Sequence, residues 1–390
     1  MKYPLVDYPF SRNDINSGRK ILSMGKFITM NKVTREFEKR FAKYLGVKYA
    51  LMVNSGSSAN LLALFALINP KAKKRVKSQD ECIIPTICWS TSLWPIIQAG
   101  LKPVFVDVDL KTFNINLDDL KRKITKKTKA ILTVHVLGNS TNMDELKKIV
   151  KKRNLNLIED TCESLGSKYG SKFLGSFGRF GTFSFFVSHQ ISAGEGGMIV
   201  CNDYNDYKIL YSLRSHGWDR GLKNVKKNSF NFVNSGFNLR PMDITAAIGL
   251  SQFKRLKQMI KIRSNNRKLI IDSIKNSNNW NNQIDFLNST TKVKPSWFGM
   301  PILINKRYIN KKSKFLNYLN KNGIETRPII SGNFLNQPAS KLYKLNTRKE
   351  SFKNADQIEK RGFFIGLHAK KINKNLVKFL TKKLLMVDKI

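Results

Sequence analysis

Acidic residues are scarce in this chain, 27 against 70 lysines and arginines over 390 residues, giving a formal net charge of +43. Cysteine is scarcer still. The four cysteines, Cys82, Cys88, Cys162 and Cys201, form no CxxC pair, which argues against a disulfide framework or a zinc ribbon and leaves no metal site to expect. Long hydrophobic runs are missing too. The most apolar stretch, LLALFALI, falls well short of the roughly 20 residues a membrane span needs. The first ten residues, MKYPLVDYPF, contain no apolar signal core, so the chain is expected in the cytoplasm and away from membranes.

The excess of base raises nucleic-acid binding as a possible function. Its distribution argues against that. Lysines occur throughout, and the densest runs, KAKKRVK (71–77) and KRKITKKTK (121–129), carry no interleaved aromatics on which bases could stack. No specific nucleic-acid partner is expected, whereas a basic surface does attract anionic metabolites such as sugar nucleotides. With 41% hydrophobic and 25% charged residues, the composition fits a folded chain of one large and one smaller domain.

Patterning gives the order of elements. Val33, Phe37, Phe41 and Leu45 recur at helical spacing before Gly46 stops the helix, and the strand-like YALMVNSG follows. SSANLLALFALIN then reads as a helix with capping serines. The alternation continues through ECIIPT, PVFVDVD, AILTVHV, LNLIED, FGTFSFFV and GGMIVC, separated by helical stretches such as NMDELKKIVKKR. Buried runs alternating with helices predict an α/β fold with a mainly parallel sheet covered on both faces. One long helix is expected from Pro241 through KRLKQMIKIR. The pattern then shifts to a smaller α+β unit, so the expected domains are 1–260 and 261–390.

Four short stretches carry candidate chemistry. VNSGSSAN follows a strand and opens a helix, placing Gly56, Ser57 and Ser58 where backbone amides face an anion; the plainer reading is a turn and a cap. Asp160, in IEDTCESLG, closes a strand at the edge where α/β proteins bind ligands. It would pair with a protonated ring nitrogen or serve merely as a loop carboxylate. Trp89, after IIPTIC, would cover a flat cofactor or fill the core. SFFVSHQISAGEGGMIV holds Ser184 and His189 between two strands, the histidine being a proton carrier or a structural residue.

In this order, and together with LSMGKFITMNKVTREFEKRFAKYLG and GFNLRPMDITAAIGLSQ, the stretches resemble the DegT-like sugar aminotransferases. These are pyridoxal 5′-phosphate (PLP) enzymes of fold type I, and the likeness extends over nearly the whole chain. It implies an aspartate aminotransferase-like large domain and a small C-terminal domain. By that resemblance Gly56, Ser57 and Ser184 hold the cofactor phosphate, Trp89 stacks on the ring, Asp160 keeps the ring nitrogen protonated and Glu163 lies near the ring hydroxyl. Asn238, in GFNLRP, reaches the phosphate of a partner subunit, implying a homodimer with shared active sites.

His189 departs from the aminotransferase pattern, for it stands where those enzymes have the lysine that bonds to the aldehyde. An imidazole cannot form that bond stably, so PLP and pyridoxamine 5′-phosphate (PMP) should be held non-covalently. A histidine there resembles a subgroup of sugar 3-dehydratases, as do RSHGWDR (214–220), SWFGMPI (296–302) and GIETRPIISGNFLNQPA (323–339). What this implies is loss of the 3-hydroxyl from a nucleotide-linked 4-keto-6-deoxy-sugar, expected to be GDP-4-keto-6-deoxy-D-mannose, with His189 as base. L-Glutamate would restore PMP and leave as 2-oxoglutarate. His216, Arg220 and Arg327 are candidate contacts for substrate or for glutamate's carboxylate. A sister group uses an iron–sulfur cluster on cysteines near the segment matching RSHG; WDRGLKNVKKNSFNFVNSG has none, so no cluster is expected. The remaining alternatives are an amino-sugar-forming transaminase and a PLP- or nucleic-acid-binding regulator.

Overall fold

The computed structural model describes residues 1–7, 9–25, 28–222, 230–345 and 350–390. The strands read from the sequence build its central sheet. In chain order they are β1 (Tyr49–Val53), β2 (Glu81–Pro85), β3 (Lys102–Val106), β4 (Thr128–Val134) and β5 (Asn156–Asp160). The two-residue β6 (Lys168–Tyr169) and β7 (Lys172–Phe173) come next, then β8 (Phe180–Ser184) and β9 (Gly197–Cys201). The order across the seven-stranded sheet is β1-β9-β8-β5-β4-β2-β3. Every neighbouring pair is parallel except those made by β9, which runs antiparallel to both β1 and β8.

This topology places the site. With β9 reversed, β1, β2, β4, β5 and β8 all end on one edge of the sheet. There lie Asn54–Gly56, Thr86–Trp89, His135, Asp160 and Ser184, the edge at which open α/β sheets take their ligands. The helix Gly56–Ile68 leaves that edge apolar on all sides, with Ala59, Leu62, Ala63, Leu64, Ala66 and Leu67 buried, so it sits inside the molecule rather than on its surface. The helix Lys32–Leu45 buries Phe37 and Phe41 against Phe185 and Phe183 and stops at Gly46, whose φ of 69° suits glycine.

The smaller sheet contains β10 (Ile284–Phe286), β12 (Gly299–Ile304), β13 (Thr326–Arg327) and β14 (Gly362–Gly366) in the order β10-β12-β14-β13, all antiparallel, while β11 (Val293–Lys294) pairs with β6. The first residues join this smaller unit rather than the larger one: Tyr3 N–H donates to Gly323 O at 2.6 Å, Glu325 N–H to Tyr3 O at 3.0 Å, and the Tyr3 hydroxyl to Gly366 O.

The long helix expected beyond Pro241 is two helices, Asp243–Phe253 and Leu256–Lys275. No proline or glycine explains the break. Instead, side chains at the junction are tied to distant backbone and carboxylate: Gln252 binds Pro9 O and Ser192 N–H, and Arg255 binds Asp14. The expected domain boundary at 260 therefore falls inside the helix Leu256–Lys275.

Candidate active site

Three chain segments converge at the start of the helix Gly56–Ile68. Ser55 caps it, its hydroxyl accepting from Ser58 N–H at 3.1 Å. A Cβ on Gly56 would lie 2.6 Å from Ser184 Cβ and 2.9 Å from Cys162 Sγ, so only glycine lets the helix end approach β8 and the loop after β5. Ser57 is exposed and its hydroxyl donates to Thr91 Oγ1 at 2.9 Å. Two serine hydroxyls, a threonine and the first-turn amides thus face the positive end of a helix dipole, which suits a phosphate.

Asp160, nearly buried, is held by three donors. Ser92 Oγ (2.7 Å) and Asn60 Nδ2 (2.8 Å) bind Oδ2, and Cys162 N–H (3.1 Å) binds Oδ1. Asn60 is itself oriented by Thr182 Oγ1. Donors on both oxygens hold this carboxylate in one orientation. Trp89 is the N-cap residue of the helix Ser90–Gln98 and stands 57% exposed at the ligand edge of the sheet.

Glu163 accepts from Leu137 N–H at 2.9 Å, and its own carbonyl accepts from Gln190 Nε2. Burial pushes its carboxyl up to about 7; the Leu137 N–H opposes this and Asp160 adds to it. Leu137 has a φ of 52°, a left-handed conformation unusual for a branched side chain.

His189 lies in the loop between β8 and β9. Its ring meets Phe298 edge-on at 5.1 Å and Phe186 at 6.1 Å, and its Nδ1 is buried without a hydrogen-bond partner. Burial, and then the charge of Arg263, push the imidazole down to about 3, so it is neutral at pH 7. The sequence contains no lysine from 173 to 207. No amine in this loop stands in for the aldehyde-bonding lysine.

The remaining expected residues lie elsewhere. Asn238 is exposed, accepts from Arg240 Nε at 3.0 Å and bridges to Ser215. His216 N–H donates to Phe237 O, and its ring packs on Trp218 at 5.4 Å, so His216 and Asn238 share one surface arm. Arg220 is exposed on the same arm. Arg327 pairs with Glu325 at 2.7 Å on the smaller sheet. The structure therefore brings Gly56, Ser57, Ser184, Trp89, Asp160, Glu163 and His189 to one edge and leaves His216, Arg220, Asn238 and Arg327 outside it. Asn60, Ser92, Thr91, Gln190 and Arg263 are the residues that sequence reading passed over; each acts across a long separation with no local motif. Among the described residues, no group of three or more His, Cys, Asp or Glu is placed to hold a metal ion, and no helix is long and apolar enough to cross a membrane.

The open Trp89 face, the Gly56 cradle that a Cβ would fill and the oriented Asp160 carboxylate fit a pyridoxal-type cofactor. Comparison with known proteins agrees. Residues 11–380 match the DegT/DnrJ/EryC1/StrS aminotransferase family. The chain is 40% identical over 379 residues to the GDP-4-keto-6-deoxy-D-mannose 3-dehydratase of Escherichia coli O55:H7, covering 94% of this chain and 96% of that protein. A structure of the E. coli enzyme with bound hydrated PLP superposes with a TM-score of 0.90 at 38% identity, covering 98% of this chain and 99% of the other. A GDP-4-keto-6-deoxymannose-3-dehydratase with a trapped PLP-glutamate geminal diamine gives the same TM-score and identity, covering 98% of this chain and all of the other.

Proposed function

We propose, from the premise that this chain belongs to the DegT/DnrJ/EryC1/StrS aminotransferase family, that it is a PLP-dependent 3-dehydratase of a nucleotide-linked 4-keto-6-deoxy-sugar. The substrate is GDP-4-keto-6-deoxy-D-mannose, as in the relatives it matches, and L-glutamate supplies the amine. One observation carries the reading: a histidine replaces the aldehyde-bonding lysine while the rest of the cofactor frame is complete.

When bound, PMP supplies an amine for the keto carbon and a ring that spreads negative charge. Gly56, Ser57 and Ser184 hold its phosphate, and Trp89 covers its face. Asp160, fixed by Ser92, Asn60 and the Cys162 N–H, keeps the ring nitrogen protonated. His189, neutral and with Nδ1 free of protein partners, takes the proton from the carbon bearing the amine nitrogen. It then gives a proton to the departing 3-hydroxyl. The products are a 3-deoxy-4-keto-sugar, ammonia and the aldehyde form of the cofactor, PLP, which glutamate would convert back to PMP as it leaves as 2-oxoglutarate.

The surface arm supports a homodimer. Asn238 faces solvent in the single chain, and Phe230 and Phe232 beside it are 71% and 60% exposed, so a second subunit would cover the apolar arm and receive Asn238 at its phosphate site. The test combines spectra with products. Glutamate should convert the aldehyde band to the amine form, borohydride should fix no cofactor to the chain, and the keto-sugar should yield ammonia. A stable 4-amino sugar, or PLP reduced onto a lysine, overturns the reading in favour of transamination.

A further inference from the structure

The loop that carries His189 is fastened by the residue after it. Gln190 is fully buried, and its amide nitrogen donates to two main-chain carbonyls from separate parts of the chain: Glu163 O, in the loop after β5, and Ser296 O at 3.1 Å, just ahead of β12. Two residues beyond Ser296, the Phe298 ring meets the His189 imidazole edge-on at 5.1 Å. Leu137 closes the circuit, since its N–H donates to Glu163 Oε2 at 2.9 Å and its carbonyl accepts from Phe298 N–H at 3.2 Å. The packing here is tight. A Cβ on Gly138 would lie 2.4 Å from Ser296 O, and Ser167 Oγ donates to Gly138 O and accepts from Ser296 N–H, both at 2.8 Å. Stability alone does not account for Gln190: its Oε1 is buried without a protein partner, and burying an amide acceptor unpaired opposes folding. What the side chain supplies is a fixed length between three loops.

We infer that Gln190 is the positioning residue of the histidine that moves the proton: by tying the His189 loop to Glu163 and to Ser296, it holds the imidazole at a set distance from the cofactor edge. This rests on the reading that His189 is the base. Two other bonds restrain His189. Its N–H donates to Phe186 O at 3.0 Å, within the same loop, and its carbonyl accepts from Arg263 Nη2 at 3.3 Å. Neither joins the loop to the residues at the ligand edge; of the three restraints, Gln190 alone does. A displacement of about 1 Å costs on the order of 100-fold where reacting groups must be aligned, so loss of the two amide bonds is felt in the rate of proton transfer and not in binding.

Gln190→Met keeps the length of the side chain and removes both donors. Protein loaded with PMP and mixed with GDP-4-keto-6-deoxy-D-mannose should release ammonia about tenfold or more slowly in this variant, while PMP affinity by equilibrium dialysis and KM for the sugar stay within about twofold of the parent. A residue that acts through His189 has nothing left to act through in His189→Asn. In that background, with enzyme in excess so that residual release is measurable, Gln190→Met should slow it by less than about twofold. If Gln190→Met does not fold, Gln190→Asn, whose amide stops one carbon short of the two carbonyls, decides by the same comparisons. Release within about threefold of the parent, a fall in PMP affinity that matches the fall in rate, or the full loss repeated in the His189→Asn background overturns the proposal. Undiminished release by His189→Asn alone would instead remove the base, and the underlying reading with it, whatever the Gln190 variants do.

Discussion

Desolvation at His189 favours the uncharged imidazole, the form that the proposed proton transfer requires at neutral pH. His189→Asn keeps a polar side chain of similar reach but cannot accept the proton. It is expected to bind cofactor and sugar as the parent does and to lose ammonia release by about 100-fold or more; undiminished release would take His189 out of the chemistry. Glu163 is displaced the opposite way. Its folded-state value of about 7 lies above the ordinary 4.5, so between those values the native protein holds a proton that the unfolded chain has released. Stability from this group is therefore lost as pH rises through that window. Glu163→Gln escapes the loss. Urea titrations of cofactor-free protein should show the variant gaining on the parent by on the order of 2 kcal/mol from pH 4.5 to 7.5. A pH-independent difference would mean that the carboxyl titrates normally.

Close approaches between elements set the site's shape. Gly56→Ala puts a Cβ 2.6 Å from Ser184 Cβ, and relief must come from backbone movement, at a cost of about 1–3 kcal/mol. The expected result is a folded protein with weakened PLP retention, measured by equilibrium dialysis. Arg214, wholly buried, joins its helix (Tyr204–Arg214) to the helix Lys32–Leu45 and to β1 by bonds to Glu38 and Met52 O, both at 2.7 Å. Arg214→Met removes the cation paired with the Glu38 carboxylate, leaving it the Met52 N–H at 2.8 Å, and should cost about 3–5 kcal/mol in denaturant titration, while adding Glu38→Gln should recover a large part. The strands were legible in the sequence because each is a short apolar run between turn residues. The reversal of β9 was not, since interior strands bury both faces whichever way they run. The break near Arg255 and the docking of Tyr3 on the smaller sheet also escaped notice, because both depend on partners some 240 or more residues away. The same holds at the site: Asp160 was marked by its strand end, but Asn60 and Ser92, at separations of 100 and 68 residues, have no local signature.

In the proposed homodimer, the open site of one chain would be completed by the arm of the other. Ser57 and Trp89 are exposed at the ligand edge, while Asn238 is exposed on an arm whose apolar residues lack cover. If active sites are shared, His189 and Asn238 act at the same site from different subunits. His189→Asn and Asn238→Ala homodimers should then each be deficient, the first in elimination and the second in cofactor retention. Mixing them under exchange produces heterodimers in which one site carries both substitutions and the other carries neither. With half the dimers mixed and one good site in each, about a quarter of the parent activity should return. No recovery, with exchange verified by differently tagged subunits, would place Asn238 at the site of its own chain, and a catalytically competent monomer would remove the shared-site arrangement altogether.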